Sequence, residues 1–256
     1  MSISSILIIV IIIIIIVYII SYFYFNSSIL VNNVSDGTLL NTISSTSLKS
    51  STTGSTAANF TYSIWIYITD WSYNYGQEKI IFVRPGSNVG NIDSSTITSS
   101  TPSLSPNPLV MLGATENNLI ISQEIYNTKT TTTTSKTPTS TFTCGISNIP
   151  IQKWANILVS VYGRSMDLYL DGKLVRTCVM PGIAKVSSTS PVYISPNGGF
   201  SGYYSKFEYY PNSTDPQTAW NIYAKGYTDK WSLFSSDYSV NISVYNGTTL
   251  ENSVTI

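Results

Sequence analysis

The stretch from Ile149 to Met180, IPIQKWANILVSVYGRSMDLYLDGKLVRTCVM, most constrains the fold, because strand alternation, turn chemistry and a cysteine coincide in it. Read with a period of two, Ala155, Ile157, Val159 and Val161 share one face while Trp154, Asn156, Leu158, Ser160 and Tyr162 share the other, which predicts a strand. Gly163 supplies a turn, and Met166, Leu168 and Leu170 then alternate with Asp167 and Tyr169. Asp171-Gly172 predicts a type I′ hairpin, whose two central residues need positive φ, before Lys173 to Val179 returns. The expectation is an antiparallel meander of three strands.

A second stretch, Asn59 to Asp70 (NFTYSIWIYITD), alternates as cleanly, with Phe60, Tyr62, Ile64, Ile66 and Ile68 against Thr61, Ser63, Trp65, Tyr67 and Thr69. Lys79 to Arg84, Pro108 to Gly113, Leu119 to Ile121, Pro191 to Ser195 and Phe200 to Tyr210 read as further strands. Two Ser/Thr/Pro-rich insertions, Asp93 to Pro108 and Thr128 to Thr141, are expected as surface loops that bury too little apolar surface to order themselves. Asp215-Pro216 opens a predicted helix, Ala219, Ile222 and Tyr223 recur at helical spacing, and Gly226 ends it. Tyr238 to Tyr245 and Thr248 to Ile256, joined by Asn246-Gly247, predict a C-terminal hairpin.

The phrases KWANILVSVYGRSMDLYLDGKLV, NFTYSIWIYITD and GFSGYYSKFEYY, the last followed by a short helix, resemble the concanavalin A-like lectin and glucanase superfamily, in particular its laminin G-like branch. The fuller form of the meander is similar to versions of that domain in nucleocytoplasmic large DNA viruses. The resemblance, from about Phe60 to Gly226, implies an all-β fold: a two-sheet antiparallel jelly-roll sandwich of concanavalin A-like type. The expected organisation is an N-terminal transmembrane anchor over 1–25, a Ser/Thr-rich stalk and first edge strand over 26–58, the laminin G-like jelly roll over 59–227, and the hairpin extension over 228–256.

The anchor is read from Ile6 to Phe25, twenty residues with no charge, passing through Ile13 and Ile20 and closing on Tyr22-Phe23-Tyr24-Phe25. At ~1.5 Å per residue a helix of this length reaches ~30 Å, the thickness of a bilayer core. A cleaved signal peptide fits less well, since there is no basic n-region, the apolar run is too long and no small-residue cleavage site follows. Lys49, the first basic residue, lies too far along the chain to set the orientation.

Thirteen basic and thirteen acidic residues leave the net charge at zero, with no basic field to attract nucleic acid, and histidine is absent, which removes histidine-based triads and ligands. The glucanases of the superfamily place clustered carboxylates, Glu-x-Asp-x-x-Glu, on one strand. Here Glu78, Glu116, Glu124, Glu208 and Glu251 are scattered, so the chain is expected not to be an enzyme. Cys144 and Cys178 flank the meander; as a disulfide they would close a loop of roughly 35 residues, stabilising by about 3–4 kcal/mol, and the alternative is two buried thiols. Laminin G-like domains often hold calcium at a rim, which makes Asp70 and Asp93 the metal candidates; the plainer role for both is a solvated loop carboxylate. Trp71, Tyr73 and Tyr75 are the aromatics placed to touch a glycan or a partner, with packing on a sheet as the structural alternative.

Together these readings describe a single-pass membrane protein without a resident cofactor. Its partners are expected to be the lipid bilayer and other proteins. The viral resemblance implies capsid proteins among them, with a place in a virion membrane or capsid. The alternative is a membrane-tethered lectin that binds glycans.

Overall fold

The computed structural model describes residues 11–18, 28–48, 58–86, 97–101, 104–127, 139–187 and 189–228, and the backbone of 241–246 and 249–255. Residues 11–18 are helical and exposed. The strands are β1 (Ile29–Val31), β2 (Ser35–Asp36), β3 (Asn41–Ile43), β4 (Phe60–Asp70), β5 (Lys79–Pro85), β6 (Pro106–Leu112), β7 (Asn118–Tyr126), β8 (Thr139–Ser147), β9 (Trp154–Tyr162), β10 (Ser165–Leu170), β11 (Lys173–Val179), β12 (Val192–Ile194), β13 (Ser201–Tyr210), β14 (Asn241–Asn246) and β15 (Thr249–Thr255). One sheet runs β1-β13-β4-β9-β10-β11 with β2 also on β13; the second runs β3-β12-β5-β6-β7-β8, and β14 pairs with β15 alone. All pairings are antiparallel, and the described chain is a two-sheet β-sandwich.

The meander lies in the first sheet as expected, with Met166 opposite Val161 and Cys178 opposite Met166. Its turn has φ of 51° at Asp171 and 72° at Gly172, the positive pair a type I′ hairpin requires. Phe60, Tyr62, Ile64, Ile66 and Ile68 of β4 and Ile157, Val159 and Val161 of β9 point between the sheets. There they meet Ile81, Phe82, Val110, Leu112, Leu119 and Ile121 from the second sheet. Burying each such side chain contributes roughly 1.5–3 kcal/mol.

Neither outer face is bare. Helix α1 (Pro216–Ala224) lies on the first sheet, seating Ala219 and Ile222 on Leu158 and Tyr169, so β9 and β10 are buried on both faces. Asp215 caps it by accepting from Gln217 N (2.9 Å) and Thr218 N (3.0 Å), which satisfies two of the orphan donors of the first turn.

On the second sheet, Ile97 and Leu104 join Ile80, Val83, Leu109 and Met111 in a separate small core. This corrects the reading of Asp93 to Pro108 as a loop that orders nothing. Two isolated apolar residues in a Ser/Thr tract show no period, yet each fills a site that the sheet provides. Within 26–58, expected as a Ser/Thr-rich stalk and first edge strand, β1, β2 and β3 lie in the two sheets. Residues 49–57 and 128–138 lie outside the described residues.

Cys144 of β8 and Cys178 of β11 are bonded to each other, with Cα atoms 6.3 Å apart, and so tie together the two sheets along one side of the sandwich. Of the expected anchor, Ile13 falls in the helical residues 11–18, while Ile6, Ile20 and Phe25 lie outside the described residues. Among the described residues, no helix is long and apolar enough to cross a membrane.

Candidate functional site

The loop after β4 carries Trp71, Tyr73 and Tyr75 at the end of the sandwich where β4 stops and β5 starts. The structure brings the three onto one loop but gives them different tasks. Trp71 packs against the core and the Lys79 ammonium sits over its ring, 5.2 Å from the centroid. The Tyr73 hydroxyl donates to the Gly198 carbonyl at 3.0 Å, which pins the loop to the segment before β13. Tyr75 alone of the three is exposed.

Asp70 accepts from the Ser72 amide (2.8 Å) and the Ser72 hydroxyl (2.8 Å). The Ser72 hydroxyl first, and its amide second, hold that carboxyl below the usual range. It thus closes a local turn. Asp93 lies outside the described residues. Among the described residues, no group of three His, Cys, Asp or Glu side chains is placed to hold a metal.

A larger aromatic array lies on the outer face of the first sheet. Tyr203 of β13, Tyr67 of β4 and Trp154 of β9 stand opposite one another on adjacent strands, with ring centroids 6.4 and 5.7 Å apart. Tyr227, just beyond α1, stacks on Trp154 at 4.4 Å and meets the edge of Trp65 at 6.1 Å. Trp65 stacks on Tyr223 of α1 at 5.4 Å, and Tyr223 touches Trp220 at 5.3 Å. Seven rings therefore form one continuous band across strands and helix, each contact within the range at which aromatic pairs attract.

Tyr203, Trp220 and Tyr227 are exposed, and Trp65 is buried beneath them. The phenol groups of Tyr67, Tyr203, Tyr223 and Tyr227 make no hydrogen bond to a described residue. Beside the band, Lys153 and Asp171 face each other at 3.8 Å, while Asp36 opposite Tyr203 and Lys225 between Tyr223 and Tyr227 are exposed. A surface of large, stiff rings with hydroxyl tips can bury apolar area and donate hydrogen bonds together.

Two of the seven rings are present in the sequence as the outward set of β4, where Trp65 and Tyr67 follow Thr61 and Ser63. What is not written there is that β13 and β9 flank β4 and bring Tyr203 and Trp154 into register with Tyr67.

Three of the five glutamates are engaged, each by its own partner. Glu78 accepts from the Ser99 amide (2.9 Å) and hydroxyl, Glu124 pairs with Lys185 (2.7 Å), and Glu208 accepts from the Tyr210 hydroxyl (3.0 Å). Burial first, and the Glu208 charge second, push the Tyr210 hydroxyl far above its ordinary value, so it remains a proton donor.

No protein-family model and no curated protein matches this sequence. Among solved structures, it is similar to the binding domain of botulinum neurotoxin serotype D/C VPI 5993, at 14% identity and a TM-score of 0.43, over 65% of this chain and 36% of that one. The receptor binding domain of the C/D mosaic serotype is similar at 12% identity and a TM-score of 0.46, over 66% of this chain and 37% of that one. The serotype G binding domain is similar at 12% identity and a TM-score of 0.45, over 75% of this chain and 46% of that one. The match therefore spans less than half the length of these neurotoxin domains.

Proposed function

We propose that this chain is a non-catalytic binding protein: a concanavalin A-like, laminin G-like sandwich held at a membrane by Ile6 to Phe25, which uses the aromatic band as its contact surface for a protein partner. The observation that carries the reading is the band itself, with Tyr203, Trp220 and Tyr227 exposed together on one continuous run of rings. Interface centres are enriched in Tyr and Trp and depleted of charge, because large stiff rings bury much area at small entropic cost. The dispersal of Glu78, Glu124 and Glu208 into separate structural contacts supports a role without catalysis. On the viral resemblance, the partner is a capsid or other virion protein, and the chain ties that layer to a membrane. No metal or other cofactor takes part.

A second reading, a tethered lectin, is favoured by the unpartnered phenol groups, which would bind sugar hydroxyls while the rings stack on a sugar face.

Photo-cross-linking from Tyr203 and from Trp220 in the native assembly tests the first reading. A protein adduct is expected at both positions, and Tyr203→Ala or Trp220→Ala is expected to weaken its binding by about 1–2 kcal/mol each. A glycan array read with and without calcium separates the second: selective glycan binding abolished by Trp220→Ala favours the lectin. Turnover of a polysaccharide by the purified chain overturns both.

A further inference from the structure

The two ends of the sandwich differ, and the chain reaches its N-terminal apolar run from one of them. The carbonyl of Ser28 accepts from the Tyr209 amide at 3.0 Å, and Tyr209 stands opposite Tyr62, which stands opposite Val159. Ser28 is therefore fixed near the end where β4 begins and β9 finishes. Phe25 lies three positions before it, steps that at ~3.3–3.6 Å each reach about 10 Å. The strand tip at Tyr162 lies three residues beyond Val159, again about 10 Å. A tether of that reach cannot hold this end clear of the surface in which the apolar run is embedded.

That same end carries an apolar patch. Val179 is 70% exposed, Tyr162 66%, Ile183 48% and Tyr126 41%. Backbone hydrogen bonds knit the four into one surface: Tyr126 N to Ile183 O (2.9 Å), Ala184 N to Gly163 O (3.3 Å) and Met180 N to Arg164 O (2.8 Å). The Arg164 Nε donates to the Met180 carbonyl at 3.0 Å, which sets a cation beside the patch. The neighbouring carboxylates are already engaged, Glu124 by Lys185 and Asp167 by the Thr177 hydroxyl (2.7 Å). Aromatic rings, aliphatic side chains and a basic residue are what the headgroup region of a bilayer accepts.

We infer that the Tyr126, Tyr162, Val179 and Ile183 end of the sandwich rests on the lipid surface, so that the domain is seated on the bilayer in a fixed orientation with the loop of Tyr75 facing away. This rests on the membrane-tether reading above.

The test uses the full chain in phosphatidylcholine vesicles that contain a lipid with a nitroxide headgroup. Both native cysteines are bonded to each other, so a single added thiol labels selectively. Val179→Cys and Ile183→Cys are labelled with an environment-sensitive fluorophore, and Tyr75→Cys provides the opposite end. The expected result is a blue-shifted emission and several-fold stronger nitroxide quenching at 179 and 183 than at 75. Vesicle-bound chain with equal quenching at all three positions, or stronger quenching at 75, overturns the seated orientation and leaves the tether standing. Chain that does not float with the vesicles overturns both.

Discussion

Single residues in this fold matter most where two elements meet. Gly172 serves the β10–β11 turn through its φ of 72°, and a Cβ added there would lie 2.8 Å from Tyr223 Cβ and 3.2 Å from Trp220 Cε3 of α1. Gly172→Val therefore strains the turn, at a cost of roughly 1–2 kcal/mol, and pushes the helix off the sheet as well. The expected outcome in a denaturant titration is a loss larger than the turn alone explains, together with a change in tryptophan emission as Trp220 moves. Glu124 offers a pH-dependent case. Burial pushes its carboxyl up, but the Lys185 hydrogen bond, the Thr139 and Ser105 hydroxyls and the Lys185 charge outweigh it, so the folded group lies below its ordinary value. The carboxylate's contribution is then fully present above the ordinary glutamate range and disappears as pH falls through the lowered folded value. Glu124→Gln should cost about 1.5–3 kcal/mol near neutrality, with the gap to wild type closing in acid; parallel stability curves down to low pH would refute this.

At the scale of elements, strands with a complete pattern were legible from sequence and short ones were not. β4, β9 and β10 each show apolar alternation over several residues, and the structure keeps that alternation between the sheets. β1, β2 and β3 have only two or three residues each, too short for a period to register, and they exist because β13 and β12 offer edges to pair with. Ile97 and Leu104 were illegible for the same reason, since the surface that buries them is built by β5 and β6. The aromatic band combines both cases, as Tyr67 is read from β4 but its neighbours come from strand order. The disulfide has consequences at this scale too. β8 and β11 are the edge strands of their sheets, the β10–β11 register shifts between Leu168 and Tyr169 so that Val175 of β11 is the extra residue, and Cys144–Cys178 joins the two edges. A bulged, cross-linked edge pairs poorly with another chain. Cys178→Ser should lower stability by roughly 3–4 kcal/mol in the chain-entropy account, measured by denaturant titration, and open these edges to self-association, measured by sedimentation. An unchanged midpoint would mean that the bond constrains nothing the folded sheets do not already hold.

For the whole molecule, the sandwich is polar in the sense of having a direction. One end holds Ser28 and the exposed apolar residues around Val179; the other holds the loops of Tyr75 and Gly198 and, close by, the row Tyr203, Tyr67, Trp154. The proposed link between a membrane and a partner needs this separation, because a contact face beside the lipid would be blocked by it. The core is complete without the apolar run, since β1 through β13 and α1 bury their own faces, so tether and binding domain should fail independently. Placing Arg at Ile13, in the middle of the run, should cost about 2.5–3.5 kcal/mol of insertion free energy. The same change touches no residue of the sandwich core. Ile13→Arg is therefore expected to shift a measurable fraction of the chain into the soluble phase on carbonate extraction, with the unfolding midpoint of the extracted domain unchanged and the Tyr203 cross-link retained in solution. If the variant stays wholly membrane-bound, Ile6 to Phe25 is not the tether, and both the membrane display of the aromatic band and the seating of the Val179 end lose their basis.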